Sequence, residues 1–367
     1  MPVSSETTVE PSVRVLDSAR FISEHSKDVF VPAEGIRQAA KEILERMKSS
    51  GYSTAEWKKH PLNPSTADEA AIEWIFVVDS LNFSFWTSKP VDQQYAVTLD
   101  GTTYRGYWTL CAAINRAVRR GLDITDAAVY GCISRQVMEE VFRTDDPQSQ
   151  ERMPMLERRI QVLHEVGRVL IDKYAGKFGN VIRACQGSAQ KLIETVVREF
   201  PCFRDEHEFN GQKVCIYKRA QILVADIWAC FEGLGLGRFD DIDKVTMFAD
   251  YRVPQGLYHF GALRYSPRLF DFLQRSETAV KTEGEREVAE KIPLPGSSGL
   301  LPSGHPWEIE IRGNSIWAVE CIRQQILKSS GVLVSAILID FYMWDYSKLH
   351  AEAMKDIPIH FTRSVFY

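Results

Sequence analysis

Apolar side chains in this chain return every three or four residues in one segment after another, and that period fixes the fold class before any other feature is weighed. Ile36, Ala40, Ile43, Leu44 and Met47 recur at helical spacing between Pro32 and Ser50, and Gly51 stops the run. Leu156, Ile160, Leu163, Val166 and Leu170 form a single stripe, whose simplest meaning is a core face. Helices are predicted also near 110–120, 180–199, 217–232 and 307–328. Ser65 and Thr66, each followed three residues later by an acid (Asp68, Glu69), read as overlapping capping boxes that open an apolar helix through Trp74, Phe76 and Val77. Strand periodicity is clear once, where 95–99 and 102–107 flank Asp100-Gly101, a pair suited to the positive φ of a two-residue turn. The expected architecture is mainly α with a small β-hairpin element.

The chain has 367 residues, 45% of them hydrophobic, which is enough for a sizeable core. Residues 1–20 are polar and predict a flexible N-terminal tail, followed by a helical core over 21–275. Between 276 and 305 Glu, Lys, Gly, Ser and Pro dominate, predicting a flexible insertion away from any pocket. Residues 306–367 are expected to be a C-terminal helical part completing the same domain. No apolar run approaches the roughly 18 residues needed to cross a bilayer, so no membrane partner is expected. The seven cysteines form no Cys-x-x-Cys pair and sit mostly among apolar neighbours. That pattern suits reduced thiols in a reducing, cytoplasmic compartment.

Lys and Arg total 44 against 49 Asp and Glu, a formal charge of −5. A protein gripping a nucleic-acid polymer through its phosphates is normally basic, so the balance argues against such a partner. There is no Gly-x-x-x-x-Gly-Lys-Ser/Thr loop, no His-Glu-x-x-His, no Gly-x-Ser-x-Gly and no Cys/His metal spacing, and no metal or cofactor is expected. The segment Gly233–Gly237 follows a helix rather than a strand and reads as a helix-terminating loop.

Carboxylates stand inside apolar and aromatic runs at three places, where an ionised group is costly without a task or a partner. Asp250 lies in Met247-Phe248-Ala249-Asp250-Tyr251-Arg252, and Asp340 and Asp345 lie in Asp340-Phe341-Tyr342-Met343-Trp344-Asp345. A structural ion pair with Arg252 or a helix cap is an equal reading for Asp250, and a helix cap or a surface carboxylate is as ordinary a reading for Asp340 and Asp345. Together, acids and aromatic faces suit a planar heterocycle, held by stacking and by carboxylates that accept from ring N–H and amino groups. Cleavage of a glycosidic bond needs, in addition, a carboxylate at the anomeric carbon. Phe248 with Asp250 suits the first task and an acid in the Trp344-Asp345 stretch the second. Lys218 and Arg219 open a predicted helix and are candidates for a phosphate contact, with a solvated helix turn as the plainer reading. His60 lies in a loop fixed by Pro61 and Pro64, which favours a fixed pose, with a structural hydrogen-bonding histidine as the plainer reading.

Five segments carry a more specific signal: Asp79 to Trp86, Tyr107-Trp108 with Leu110 to Ala113, Tyr217 to Asp226, Thr246 to Pro254, and Asp340 to Tyr346. With them the chain resembles, from about residue 19 to 367, the queuosine salvage proteins, the queuosine 5′-phosphate N-glycosylase/hydrolases. The resemblance implies a helical fold similar to the helix-hairpin-helix DNA glycosylases. It also implies hydrolysis of a small-molecule nucleotide, queuosine 5′-phosphate, to queuine and ribose 5-phosphate. By the same likeness Asp345 would be nucleophile or transition-state stabiliser, Phe248 would stack on the base and Asp250 would read its guanine-like edge. His60, Asp340 and Phe341 would line the pocket. Where the family often has Tyr, this chain has Phe341, which keeps stacking and loses the hydroxyl. The alternatives are a base glycosylase acting on DNA or RNA and a non-catalytic protein that binds modified nucleosides.

Overall fold

The computed structural model describes residues 11–87, 89–149, 151–283 and 299–367. It is mainly helical, with three two-stranded antiparallel sheets. The predicted helices form with small shifts at their ends: Ala33–Ser50, Tyr107–Arg119, Leu156–Tyr174, Lys218–Cys230 and Pro306–Ser330. Ile160, Leu163, Val166 and Leu170 are all buried, so the stripe is a core face. Gly51 ends its helix in the left-handed region at φ 64°, where a residue lacking Cβ is unstrained. The Asp100-Gly101 hairpin pairs Leu99 with Thr102, and both turn residues have positive φ.

Several expectations give way. Of the expected tail over 1–20, residues 1–10 lie outside the described residues, and from Pro11 the chain is helical to His25. Val15, Ala19 and Ile22, spaced i, i+4 and i+7, are buried against the Pro306–Ser330 helix. Gly313 of that helix makes the approach possible, because a Cβ there would stand 2.6 Å from an Ile22 methyl carbon. The helix predicted over 180–199 is two, Phe178–Ala184 and Ala189–Glu199, divided where Gln186 and Gly187 take positive φ. The cap of Glu69–Ser80 is Asp68, whose carboxylate accepts from Ala71 N–H at 2.9 Å, while Thr66 donates to Asp68. Two-residue Asn210-Gly211, another strong hairpin signal, turns a second hairpin between Glu206–Phe209 and Gln212–Cys215.

The expected insertion is helical at its start. Pro267–Glu283 runs on past Ser276, Ala279 and Val280 are buried, and Ser276 Oγ donates to Gly299 O at 2.6 Å. Glu277 and Lys281 of this helix line the main cavity, so that part of the stretch is next to the pocket; 284–298 lies outside the described residues. One hydrophobic cluster runs from Val15 to Met354, which makes the early and late segments a single core. Among the described residues no helix is long and apolar enough to cross a membrane. None of the seven cysteines is in a disulfide.

Candidate active site

The residues after Val334 explain how one helix comes to carry several polar groups. Ser335 caps Ala336–Leu349 by accepting from Leu338 N–H at 3.1 Å. Ile339, Tyr342, Met343 and Tyr346 then face the core. The opposite face, Phe341, Trp344, Asp345 and Lys348, is left to line a cavity of about 870 Å³. The 3.6-residue period alone makes this division. His60, Lys218, Phe248, Asp250, Asp340, Phe341 and Asp345 all border that cavity, so the structure brings together seven of the eight residues singled out in the sequence.

The segment from Thr246 to Asp250 has no regular hydrogen-bonded ladder and is held by side chains. Thr246 donates through its N–H and its hydroxyl to Gln221 Oε1, both at 2.9 Å. Phe248 N–H donates to Asp340 Oδ1 at 2.9 Å. Ala249 O accepts from Arg312 Nε at 3.0 Å. Asp250 Oδ1 accepts from the N–H groups of Arg252 and Val253 at 2.7 and 2.9 Å, capping the Val253–His259 helix. The cap reading of Asp250 is therefore right for one carboxylate oxygen, and the other oxygen remains for the cavity.

Arg312 is fully buried and bonds Asp205 at 2.6 and 3.1 Å and Glu308 at 3.1 Å. Burial alone would raise the Asp205 carboxyl, but Arg312 and His207 hold it below the usual carboxylate range. A buried charge triad of this kind sets position more than it adds stability. Here it fixes the backbone beside Phe248.

Asp340 is buried, and its desolvation, with the nearby negative charge of Asp250, pushes its pKa well above the carboxylate range despite the Phe248 N–H. Asp340 thus tends to the neutral acid and holds Phe248 without a full charge in the cavity. Asp345 behaves differently. Its Oδ2 accepts from the Tyr52 hydroxyl at 2.5 Å. Burial raises its pKa, while Tyr52 and the Lys348 ammonium favour the ionised form. Asp345 and Lys348 are both exposed by surface area because the cavity is open to water. Enough protein surrounds them to shift their titration all the same, and Lys348 is pushed down to about 8 by burial.

His60 stacks on Trp108 with ring centroids 3.3 Å apart and planes 7° from parallel. Burial lowers its pKa to about 4, so the ring is neutral near pH 7. Leu62 N–H donates to its Nδ1 at 3.3 Å, which leaves the proton on Nε2. Phe248 and Phe341 are 6.0 Å apart at 54°, and Trp108 meets Trp344 edge-on at 6.0 Å. Aromatic faces of this size suit a planar ligand.

The two candidate phosphate cations separate. Lys218 borders the cavity but is buried, 3.4 Å from Asn82 Oδ1, and burial lowers its pKa against the pull of Asp250, Asp79 and Asp340. Arg219 is a correction. It does not border the cavity; its guanidinium bonds the carbonyl oxygens of Ser80 and Cys202 and lies over Phe83 and Phe203. Adjacent helix positions point about 100° apart, and here that step turns Arg219 away from the cavity that Lys218 borders. Sequence reasoning missed Tyr52, Trp108 and Lys348. Lys348 had a readable signal, one helical turn beyond Asp345; Tyr52, which follows a helix-ending glycine, had none. Among the described residues no cluster of His, Cys, Asp and Glu is arranged to hold a metal ion.

Comparison with known proteins gives this geometry a family. Residues 62–292 and 295–367 match the family of queuosine salvage proteins. A mouse (Mus musculus) protein named queuosine 5′-phosphate N-glycosylase/hydrolase is 43% identical over 364 residues, covering 97% of this chain and 99% of its own. Proteins of the same name from Schizosaccharomyces pombe and Sphaerobacter thermophilus are 41% and 35% identical, each over 96% of this chain and over 99% and 97% of their own lengths. The chain belongs to the queuosine salvage protein family.

Proposed function

We infer that this chain is an N-glycosyl hydrolase that cleaves queuosine 5′-phosphate. Water adds across the bond between C1′ of the ribose and the base nitrogen, giving ribose 5-phosphate and queuine, and the base nitrogen takes up a proton. The substrate is the one named for the curated relatives. The observation that carries the reading is that Asp345 shares one cavity with Phe248 and Asp250. A sugar-directed acid and a base-directed aromatic and acid then meet across a single nucleotide.

Queuine is a 7-deazaguanine, so the departing base has no N7 to protonate. Cleavage must rest on charge stabilisation at the sugar and on hydrogen bonds at the base's other edge. In this reading Asp345, ionised with the help of Tyr52, stabilises or attacks the oxocarbenium-like centre. Phe248 stacks on the base, held in place through Asp340. The free oxygen of Asp250 accepts from the guanine-like edge. His60 and Phe341 complete the wall around the base, His60 as a neutral donor and Phe341 by contact alone. Each such electrostatic contribution is worth a few kcal/mol in a preorganised site. The mainly helical fold is read here as similar to that of the helix-hairpin-helix DNA glycosylases.

The test is product analysis by mass spectrometry after incubation with queuosine 5′-phosphate. Release of queuine and ribose 5-phosphate is expected, and recovery of intact nucleotide would reject the reading. Queuine release from an oligonucleotide and not from the free nucleotide would favour a polymer glycosylase instead.

A further inference from the structure

The Lys218–Cys230 helix turns Lys218, Ile222 and Asp226, spaced i, i+4 and i+8, toward the cavity, as the 3.6-residue period requires. Eight residues of helix put Lys218 and Asp226 about 12 Å apart along its axis, so the two charges stand at different ends of that wall. Asp226 is 5% exposed, and its carboxylate accepts from the Trp57 indole N–H. Trp57 borders the cavity too, as do Tyr107 and Trp108. A second acid, Asp79, acts on Asp226 from the Glu69–Ser80 helix, which packs on this one. Asp79 is fully buried; its Oδ1 accepts from Asn82 Nδ2 at 3.2 Å, and its Oδ2 has no hydrogen-bond partner among the described residues.

Among the described residues six carboxylates border the cavity, and five of them have a cation or a task. Glu56 pairs with Lys59 and Glu277 with Lys281. Asp345 meets Tyr52, Asp250 caps a helix with one oxygen, and Asp340 holds Phe248 N–H. Asp226 is the sixth, and among the described residues no cation pairs with it within 4.0 Å. Burial and the Asp79 carboxylate push its pKa well above the carboxylate range, and Asp340 adds to the push. Lys218 opposes it but is drawn also to Asp250, Asp79 and Asp340. Tyr107 and Cys111, which also face the two acids, bring no positive charge. A carboxylate buried without a cation is costly, and a ligand cation at this wall would relieve it, with aromatic faces beside it that suit an ammonium.

Queuine carries at C7 a methylene-linked secondary amine, which is an ammonium at neutral pH. C7 lies on the five-membered ring, apart from the guanine-like edge assigned to Asp250 and from the sugar assigned to Asp345, so its substituent needs a wall of its own. Resting on the hydrolase reading above, we propose that Asp226, backed by Asp79 and flanked by Trp57, receives this ammonium and makes the enzyme select bases that carry a cationic 7-substituent. An ordinary guanine nucleotide brings no such cation and leaves Asp226 as it was, so acceptance of the one and rejection of the other come from a single carboxyl group.

Two free bases of nearly equal size separate charge from bulk: 7-aminomethyl-7-deazaguanine carries an ammonium, and 7-hydroxymethyl-7-deazaguanine is neutral. Titration calorimetry at neutral pH measures the affinity of each for the full chain and for Asp226→Asn, which keeps an oxygen for the Trp57 N–H. The unaltered protein should hold the aminomethyl base roughly 10- to 100-fold more tightly, and in Asp226→Asn that preference should disappear. Equal affinities in the unaltered protein would overturn the assignment, and so would a preference that survives in Asp226→Asn. Where Asp226→Asn does not fold, Asp226→Ser supplies the same comparison. A second readout is kcat/KM for queuosine 5′-phosphate over that for 7-deazaguanosine 5′-phosphate, which should fall by a similar factor in the variant; an equal loss on both nucleotides would overturn the proposal. If the unaltered protein cleaves neither nucleotide, the hydrolase reading itself fails, while the two base affinities still decide the amine site.

Discussion

The Tyr52 hydroxyl donates to Asp345 Oδ2 at 2.5 Å across 293 residues of sequence. Two segments remote in the chain thereby set the protonation state of the acid that the reading places at C1′. Burial pushes the Asp345 carboxyl up, and the Tyr52 bond opposes it. Activity that needs ionised Asp345 should fall on the acid side, with its limb above the ordinary carboxylate value. Tyr52→Phe removes a bond that favours the charged form, so the limb should move to higher pH. The measurement is the pH dependence of single-turnover queuine release; a limb that stays put removes Tyr52 from this role.

Asp345→Asn keeps the shape of the side chain and removes its charge. The rate of queuine release in a single turnover should drop by about 10²–10³ or more. Nucleotide binding, followed by fluorescence of the cavity tryptophans, should persist. An unchanged rate would take Asp345 out of the mechanism.

Asp250→Asn separates two tasks of one carboxylate. The amide oxygen can still accept from the N–H groups of Arg252 and Val253, so the Val253–His259 helix should keep its cap. The charge that would read the base edge is lost. Queuine affinity should weaken roughly 10- to 100-fold, with thermal stability nearly unaltered. Titration calorimetry with queuine checks the first outcome and a melting curve the second. Unaltered queuine affinity would reject the reading role.

Arg219→Gln should behave as a stability variant. The buried guanidinium serves carbonyl oxygens of Ser80 and Cys202, and truncation strands them. A loss of about 4 kcal/mol is expected in urea unfolding, the sum of two buried acceptors at about 1–3 kcal/mol each taken near the middle. The KM for queuosine 5′-phosphate should stay as it was. A steep rise of that KM in a stable variant would return Arg219 to a phosphate contact.

Asp205→Asn tests the support beneath Phe248. It leaves buried Arg312 with Glu308 as its remaining carboxylate, at a cost of about 3–5 kcal/mol. Asp205 has a depressed folded pKa, so the stability it supplies is complete above the unfolded value near 3.8 and is lost as pH falls through the folded one. The gap between wild type and variant in chemical denaturation should therefore close in strong acid. A gap independent of pH would argue that charge pairing is not the source.

The chain's local order was legible from residue types alone. Apolar period marked the helices, Gly51 and Asp100-Gly101 supplied the positive φ at their turns, and acids among aromatics marked Asp250, Asp340 and Asp345. All of these follow from interactions within a turn or two of chain. Even some misses were local signals left unread, such as Asn210-Gly211 and the Val15-Ala19-Ile22 face.

Other outcomes depend on what lies across a cavity or a helix contact, and no local period encodes that. The chain could not say that Tyr52 would reach Asp345, or that Arg219 would turn inward while Lys218 faced the cavity. Asp340 and Asp345 look alike in sequence, yet one is buried against a backbone N–H and the other meets a hydroxyl in an open cavity. Burial and neighbouring charge set a carboxyl's protonation, and both are properties of the packed molecule.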